Sequence, residues 1–205
     1  MPLQNANDDA GASPTTPATA LQVIDSVNAR DYVAIFETED LSKDEYLLQA
    51  RRAPYKGIWV PWLGKHPIIK RLGIGGMGAV YYAVHPRLPM NLAIKVLRST
   101  QPDAVKRFMQ EAQVAASINS DNVVVIKDVE QELGIHYIVM EFVHGKSAQQ
   151  LLNHARANGN IGLDESTALE IIFAACKGLK AAHAANIIHR DNKPDNILVP
   201  YGSGG

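Results

Sequence analysis

Cysteine is nearly absent from this chain. Cys176 stands alone, which excludes an internal disulfide and any metal site built from several thiolates. A disulfide-stapled secreted scaffold is thereby excluded, and a reducing, cytoplasmic setting is the expectation. In its Ala-rich surroundings the thiol is expected to pack as a small core hydrophobe. An excess of charge of either sign is also missing: 20 Lys and Arg face 21 Asp and Glu, so nothing marks a nucleic-acid or membrane-surface binder. No apolar run approaches the roughly 20 residues a helix needs to cross a bilayer. The longest, "GIWVPWLG", is far shorter, and the N-terminus has neither the basic nor the apolar region of a secretory leader. The expectation is a soluble chain with no membrane segment of its own, an anchor downstream of Gly205 being left open. The seven histidines are scattered without metal-ligand spacing.

What is present is an aliphatic-rich chain of 205 residues, enough for one domain with attachments. Its texture divides it into four parts. Residues 1–20, rich in Pro, Ala, Thr, Asp and Asn, have no periodicity and read as disordered. Residues 21–66 form an extension that is helical up to about Arg52. Ser42 and Glu45 in it resemble a capping box opening a short helix through Tyr46, Leu47 and Leu48. An aromatic, Pro- and Gly-interrupted linker follows, whose Tyr55, Trp59 and Trp62 either pack on the next domain or form a partner site. Residues 67–141 hold five β-rich runs, "IIKRLG", "AVYYAV", "NLAIKVLR", "NVVVIKDV" and "GIHYIVME". One helix, from Pro102 to about Ile118, follows the third run, with Val105, Phe108, Ala112, Ala115 and Ile118 on one stripe. Residues 142–205 turn helical, with a short helix at 148–157 and a long one from Asp164 to about Ala185. The long helix is apolar most of the way round, with Leu169, Ile172, Cys176 and Leu179 on one stripe. Such a helix belongs in a core, so the chain by itself is expected to expose apolar surface and self-associate.

Three stretches carry chemistry. In "GIGGMGAV", Gly73, Gly75 and Gly78 let backbone approach phosphates with no Cβ in the way. The strand-like "AVYYAV" that follows makes this a flap between two strands, not the helix start of a dinucleotide fold. In "LAIKV", alternation puts Ala93 and Lys95 on one face, opposite Leu92, Ile94 and Val96. An ammonium inside an apolar central strand needs an anion. Glu111 on the helix is the candidate protein partner, although a carboxylate bordering an apolar stripe also suits solvent. In "HRDNKPDN", Asp191 can orient or deprotonate a hydroxyl. Lys193 can neutralise a transferring phosphoryl group, and the Asn196 amide oxygen can ligate Mg²⁺.

In this order the stretches resemble the eukaryotic-type protein kinases: G-x-G-x-x-G-x-V, A-I-K, a helix glutamate and H-R-D-x-K-x-x-N. "IGGMGAVYYAVHP" and "YIVMEFVHGKS" look like the bacterial serine/threonine branch. The resemblance runs from about Ile68 to Leu198. It implies an α+β fold, a kinase N-lobe of five antiparallel strands plus one helix, followed by the first, helical part of a C-lobe. It also implies ATP and Mg²⁺ as cofactors and a protein substrate with a Ser or Thr hydroxyl. Gly73, Gly75 and Gly78 would cover the phosphates, with Leu72 and Gly76 also among the nucleotide-binding residues, and Lys95, braced by Glu111, would hold the phosphates. Val80, Ala93 and Leu198 would sandwich adenine. Met140 would be the gatekeeper, with Glu141 and Val143 bonding adenine at the hinge. Asp191 would be the catalytic base, Lys193 would contact the γ-phosphate, and Asn196 would bind a metal.

Two departures stand out. Asn192 occupies a position that is usually aliphatic in the family. The 205 residues also hold no D-F-G and no A-P-E. The expectation is a catalytic domain present only in its first part, binding ATP but turning over poorly alone. The alternative is a non-catalytic nucleotide-binding or scaffold module acting through its N-terminal extension.

Overall fold

The computed structural model describes residues 38–201. The expectations for residues 1–20, and for the helical pattern as far as residue 37, lie outside the described residues. Strands β1 (Arg51–Tyr55), β2 (Ile58–Leu63), β3 (His66–Gly75), β4 (Gly78–Val84) and β5 (Asn91–Leu97) come first. Helix α1 (Pro102–Ala115) follows, then β6 (Ile126–Glu132) and β7 (Ile135–Glu141). These strands form one antiparallel sheet in the order β1-β2-β3-β4-β5-β7-β6. After it come β8 (Gly145–Ser147), α2 (Ala148–Ala157), α3 (Glu165–Ala184), a 3₁₀ turn (Pro194–Asn196) and β9 (Leu198–Pro200), which pairs with β8.

The five strands and three helices expected after residue 66 are present, with α2 at its expected bounds. Among the described residues, however, the sheet has seven strands. The stretch read as a helix-breaking aromatic linker is the β1–β2 hairpin. Its turn carries Lys56 and Gly57 at positive φ (49° and 83°), the pair of left-handed residues a tight hairpin turn requires. Trp62 donates its ring N–H to Ala53 O, meets Tyr55 edge-on and lies under Arg51, whereas Trp59 is 66% exposed.

The short helix expected from Ser42 is instead a series of turns. Asp44 N bonds Leu41 O, Leu47 N bonds Asp44 O, and Ala50 N bonds Leu47 O. Leu41, Asp44, Leu47 and Ala50 therefore face inward every third residue, and all four are buried. Ser42 opens no helix among the described residues; its N–H donates to the Asp40 carboxylate.

Strand alternation then divides the core. On one face Ile68, Ala79, Tyr81, Ala83, Leu92, Ile94, Val96, Tyr137 and Val139 pack with Leu41, Leu47, Ala50 and Leu63. Residues 39–63 thus cap that face, and burial of this apolar area is what holds them there. On the opposite face Phe108 and Ala112 of α1 pack on Ile138, with Met140, Ile126 and Val129 at the margin. Past the sheet, Ala148, Leu151 and Ile171 pack with Ile197 and Val199. Helix α2 starts in a reciprocal capping box between Ser147 and Gln150, and Asp164 caps α3.

The long helix buries Thr167, Ile171, Gly178 and Ala182. Leu169, Ile172 and Phe173 are more than half exposed. Cys176 is exposed as well, so the expectation of a core thiol is corrected. Its helix turns that side away from the cluster gathered around Ile171.

Candidate active site

The sheet face carrying α1 also carries the nucleotide-site candidates. Val80 stands opposite Lys95, Tyr82 opposite Ala93, and Ala93 opposite Met140. Val80, Ala93, Lys95 and Met140 are therefore near neighbours on one face, reached from three adjacent strands. The β3–β4 hairpin closes over this end of the sheet with Gly75 opposite Gly78. A Cβ on Gly78 would overlap the Val96 carbonyl oxygen, and its φ is 150°, so only glycine lets β4 leave the turn this close to β5. At Gly73 and Gly76 a Cβ would meet nothing within 4 Å. Glycine there serves no internal packing and leaves backbone open to a ligand. Leu72, a bulged residue between the Arg71 and Gly73 rungs, is exposed beside the glycines.

Lys95 is half-buried and, among the described residues, makes no ion pair. Glu111 is exposed. The expected pair is therefore not formed: α1 seats Phe108 and Ala112 on the sheet and leaves Glu111 on its solvent side. A half-buried ammonium on an apolar strand without a carboxylate suits an anionic ligand.

At the hinge, Glu141 N donates to Val125 O and Val125 N to the Glu141 carboxylate (2.9 and 2.8 Å). This fixes the end of β7 against the segment that enters β6. Phe142 meets Tyr82 edge-on at 5.0 Å and His144 at 6.1 Å, and His144 meets Tyr201 at 5.2 Å. This run of rings crosses from the sheet, past Val143, to the chain beyond β9. Burial pushes the His144 pKa down. The sequence reading missed these rings, although Phe142 directly follows the hinge glutamate.

The catalytic-loop candidates converge. Lys193 Nζ lies 3.1 Å from Asp191 Oδ2. The Asn196 amide N–H₂ donates to Asp191 Oδ2 (2.9 Å) and to the Asp191 carbonyl (2.7 Å). The bond from Lys193, and then that from Asn196, hold the Asp191 pKa below its ordinary 3.8, so the carboxylate is ionised at neutral pH. Both side-chain bonds fall on Oδ2; among the described residues Oδ1 receives none. Asn196 spends its N–H₂ on Asp191, so its amide oxygen takes no part in that contact. The Asp191 and Lys193 side chains are half exposed, so these contacts add little stability; they set geometry. Pro194 and the 3₁₀ turn shape it, Ala148 N donates to Ile197 O at 2.8 Å, and β9 pairs Leu198 with Ser147. Leu198 is half exposed beside the loop.

A sequence profile of the protein kinase domain matches residues 67–203, about two-thirds of the chain. Serine/threonine-protein kinase PknF of Mycobacterium tuberculosis (strain ATCC 25618 / H37Rv) is 42% identical over 135 residues, 64% of this chain and 28% of that protein. PrkC of Bacillus subtilis (strain 168), also a serine/threonine-protein kinase, is 38% identical over 141 residues, 67% of this chain and 21% of its own length. This chain thus spans between a fifth and a third of these curated relatives. Among solved structures, the kinase domain of M. tuberculosis PknI superposes with a TM-score of 0.60 at 28% identity. The match covers 73% of this chain and 59% of that one.

Proposed function

The chain belongs to the protein kinase family, and on that premise we propose that it carries the ATP-binding sheet and catalytic loop of an enzyme that phosphorylates Ser or Thr hydroxyls of proteins. The observation that carries this reading is the interlocked Asp191, Lys193 and Asn196, three residues of different chemistry tied within 3.1 Å. The open backbone at Gly73 and Gly76 and the unpartnered Lys95 fit a polyphosphate; the amide oxygen of Asn196 fits Mg²⁺. Bound Mg-ATP would supply the phosphoryl group and the cations that screen its charge.

The chain's own groups divide the remaining work. Val80, Ala93 and Leu198 enclose the base, with Met140 behind it and the backbone of Glu141 and Val143 bonding its edge. Lys95 and the glycine hairpin, flanked by Leu72, fix the phosphates. Asp191 Oδ1 accepts the bond from the incoming hydroxyl and holds it in line. Lys193 moves between Asp191 and the transferred group, balancing charge as it builds. Such catalysis is positioning and electrostatics. The 205 residues contain no D-F-G aspartate, and a missing electrostatic stabiliser typically costs about a hundred- to a thousand-fold in rate. Turnover by these residues alone is therefore expected to be weak.

A second reading, a nucleotide-binding scaffold without turnover, draws on the open Lys95–Glu111 geometry. The two readings separate in a transfer assay with γ-labelled ATP and a protein acceptor, run on the chain joined to the remainder of a kinase domain. The enzyme reading expects transfer that Asp191→Asn lowers by about a hundred-fold or more. Transfer that survives Asp191→Asn would remove the loop from catalysis, and none in either form would favour the scaffold.

A further inference from the structure

We propose that Asp44, which precedes the kinase-matched residues, is a positioning residue for the glycine hairpin; the proposal rests on the ATP-binding reading above. Asp44 sits in the turn-built cap with its side chain only 1% exposed. A carboxylate this buried must be fully bonded, and it is. Its Oδ1 accepts from the Tyr81 hydroxyl (2.6 Å) and from Tyr46 N (3.0 Å), and its Oδ2 accepts from Arg71 Nη1 (2.9 Å).

Arg71 on β3 and Tyr81 on β4 are directly opposite each other. One carboxylate therefore grips both strands of the hairpin on a single rung. The next rungs are Gly73 with Val80, Ile74 with Ala79 and Gly75 with Gly78, and the bulge that frees Leu72 lies immediately beyond the grip.

A second contact acts on the same strand. β2 pairs with β3 only at Pro67 and His66, and further along the cap takes over that edge. Glu39 N donates to Ile69 O, and Arg71 N donates to the Glu39 carboxylate, both at 2.9 Å. Beyond this base β4 stays paired with β5 as far as Gly78 opposite Leu97, whereas β3 is held through its rungs with β4. Ile74 and Met77 are exposed, and the tip contact is Arg98 N to Met77 O at 3.0 Å. The rung that Asp44 fixes therefore ties the freer strand, β3, to β4, which β5 already anchors, and so sets where Gly73 and Gly75 lie over the sheet. Burying the Asp44 carboxylate against a part-exposed Arg71 is a poor device for stability alone, since an apolar side chain could fill the space. Its directional bonds fix a register and an angle.

The test uses the full chain with Asp44→Asn and Tyr81→Phe. Affinities for ATP and adenosine are measured by calorimetry, and amide exchange is followed at residues 73–78 and on β7. Asp44→Asn is expected to weaken ATP by about tenfold, the size of one lost charge-assisted bond, and adenosine by less than about twofold. Exchange should accelerate at 73–78 while β7 stays protected. Tyr81→Phe should give a smaller change of the same kind, and it carries the test if Asp44→Asn also exposes β7. An unchanged ratio of ATP to adenosine affinity with unchanged exchange at 73–78 would overturn the proposal, because a merely structural acid would weaken both ligands alike. A wild-type chain that binds no ATP would defeat the ATP reading instead, and the exchange data alone would then decide whether Asp44 fixes the hairpin.

Discussion

Leu47→Ala asks whether the cap is part of the lobe or only lies on it. Leu47 is 2% exposed and packs in the cluster with Leu41, Leu63, Tyr81, Ile94 and Tyr137. Truncating such a leucine typically costs about 2–5 kcal/mol in lost transfer energy and cavity. With a urea slope of about 1–3 kcal/mol per M, the midpoint should fall by roughly 1–2 M. The chain supplies a clean probe. Both tryptophans, Trp59 and Trp62, lie on β2, so intrinsic fluorescence reports the cap hairpin. Amide exchange on β4 and β5, followed by mass spectrometry through the same urea series, reports the sheet. If the cap is built into the core, both probes move together by the same amount. Fluorescence that shifts while β4 and β5 keep their wild-type midpoint would refute the shared core and make the cap a separable attachment.

Other perturbations test other parts. His66 is buried, and burial first, then Lys65 and His85, lower its pKa below 6.5, with the Val84 backbone bond and Asp128 opposing. The unfolded chain therefore takes the proton first. Stability should be full above about pH 6.5 and fall as pH drops from there toward the lowered folded value. Urea midpoints at pH 7.5 and 5.5 should differ less for His66→Gln than for wild type; equal losses would show that another group is responsible. On α3, Leu169 and Phe173 are more than 60% exposed. The chain should bind a hydrophobic dye and self-associate at micromolar concentration, and Leu169→Glu with Phe173→Glu should suppress both. A monodisperse wild type without dye binding would contradict this.

The sequence was legible where local chemistry and periodicity agree. Alternation around Lys95, the Gly78 turn into β4 and the long apolar run of α3 each announce their element. The cap was misread because its buried residues recur every three positions, close enough to 3.6 to imitate a helix, while the chain satisfies itself turn by turn against the sheet. The β1–β2 hairpin was hidden by Pro54 and Pro61, which argue against strands in general. Pro54 lies on an edge strand, and Pro61 precedes the two rungs on which β2 meets β3, places a sheet tolerates proline. Strand β6 begins at Ile126 and not at Asn122, because Val125 is taken up by its bonds to Glu141. For the site, residue types and spacings located Asp191, Lys193 and Asn196. Whether Glu111 reaches Lys95 depends on how α1 rotates on the sheet, which no local pattern encodes. The role of Asp44 was equally hidden, because its partners lie 27 and 37 positions away.

The central claim is that the glycine hairpin and Lys95 together form a polyphosphate site. Lys95→Met keeps the aliphatic stem against Val80 and Ile138, its cross-strand neighbours, and removes only the charge. Losing one half-buried charge from an ionic contact is worth about 2 kcal/mol, or roughly thirtyfold in affinity. Calorimetric titration of wild type and Lys95→Met with Mg-ATP and with adenosine measures it directly. The account predicts that ATP weakens by roughly that factor while adenosine is nearly unchanged. Equal losses for both ligands, or none for ATP, would contradict it.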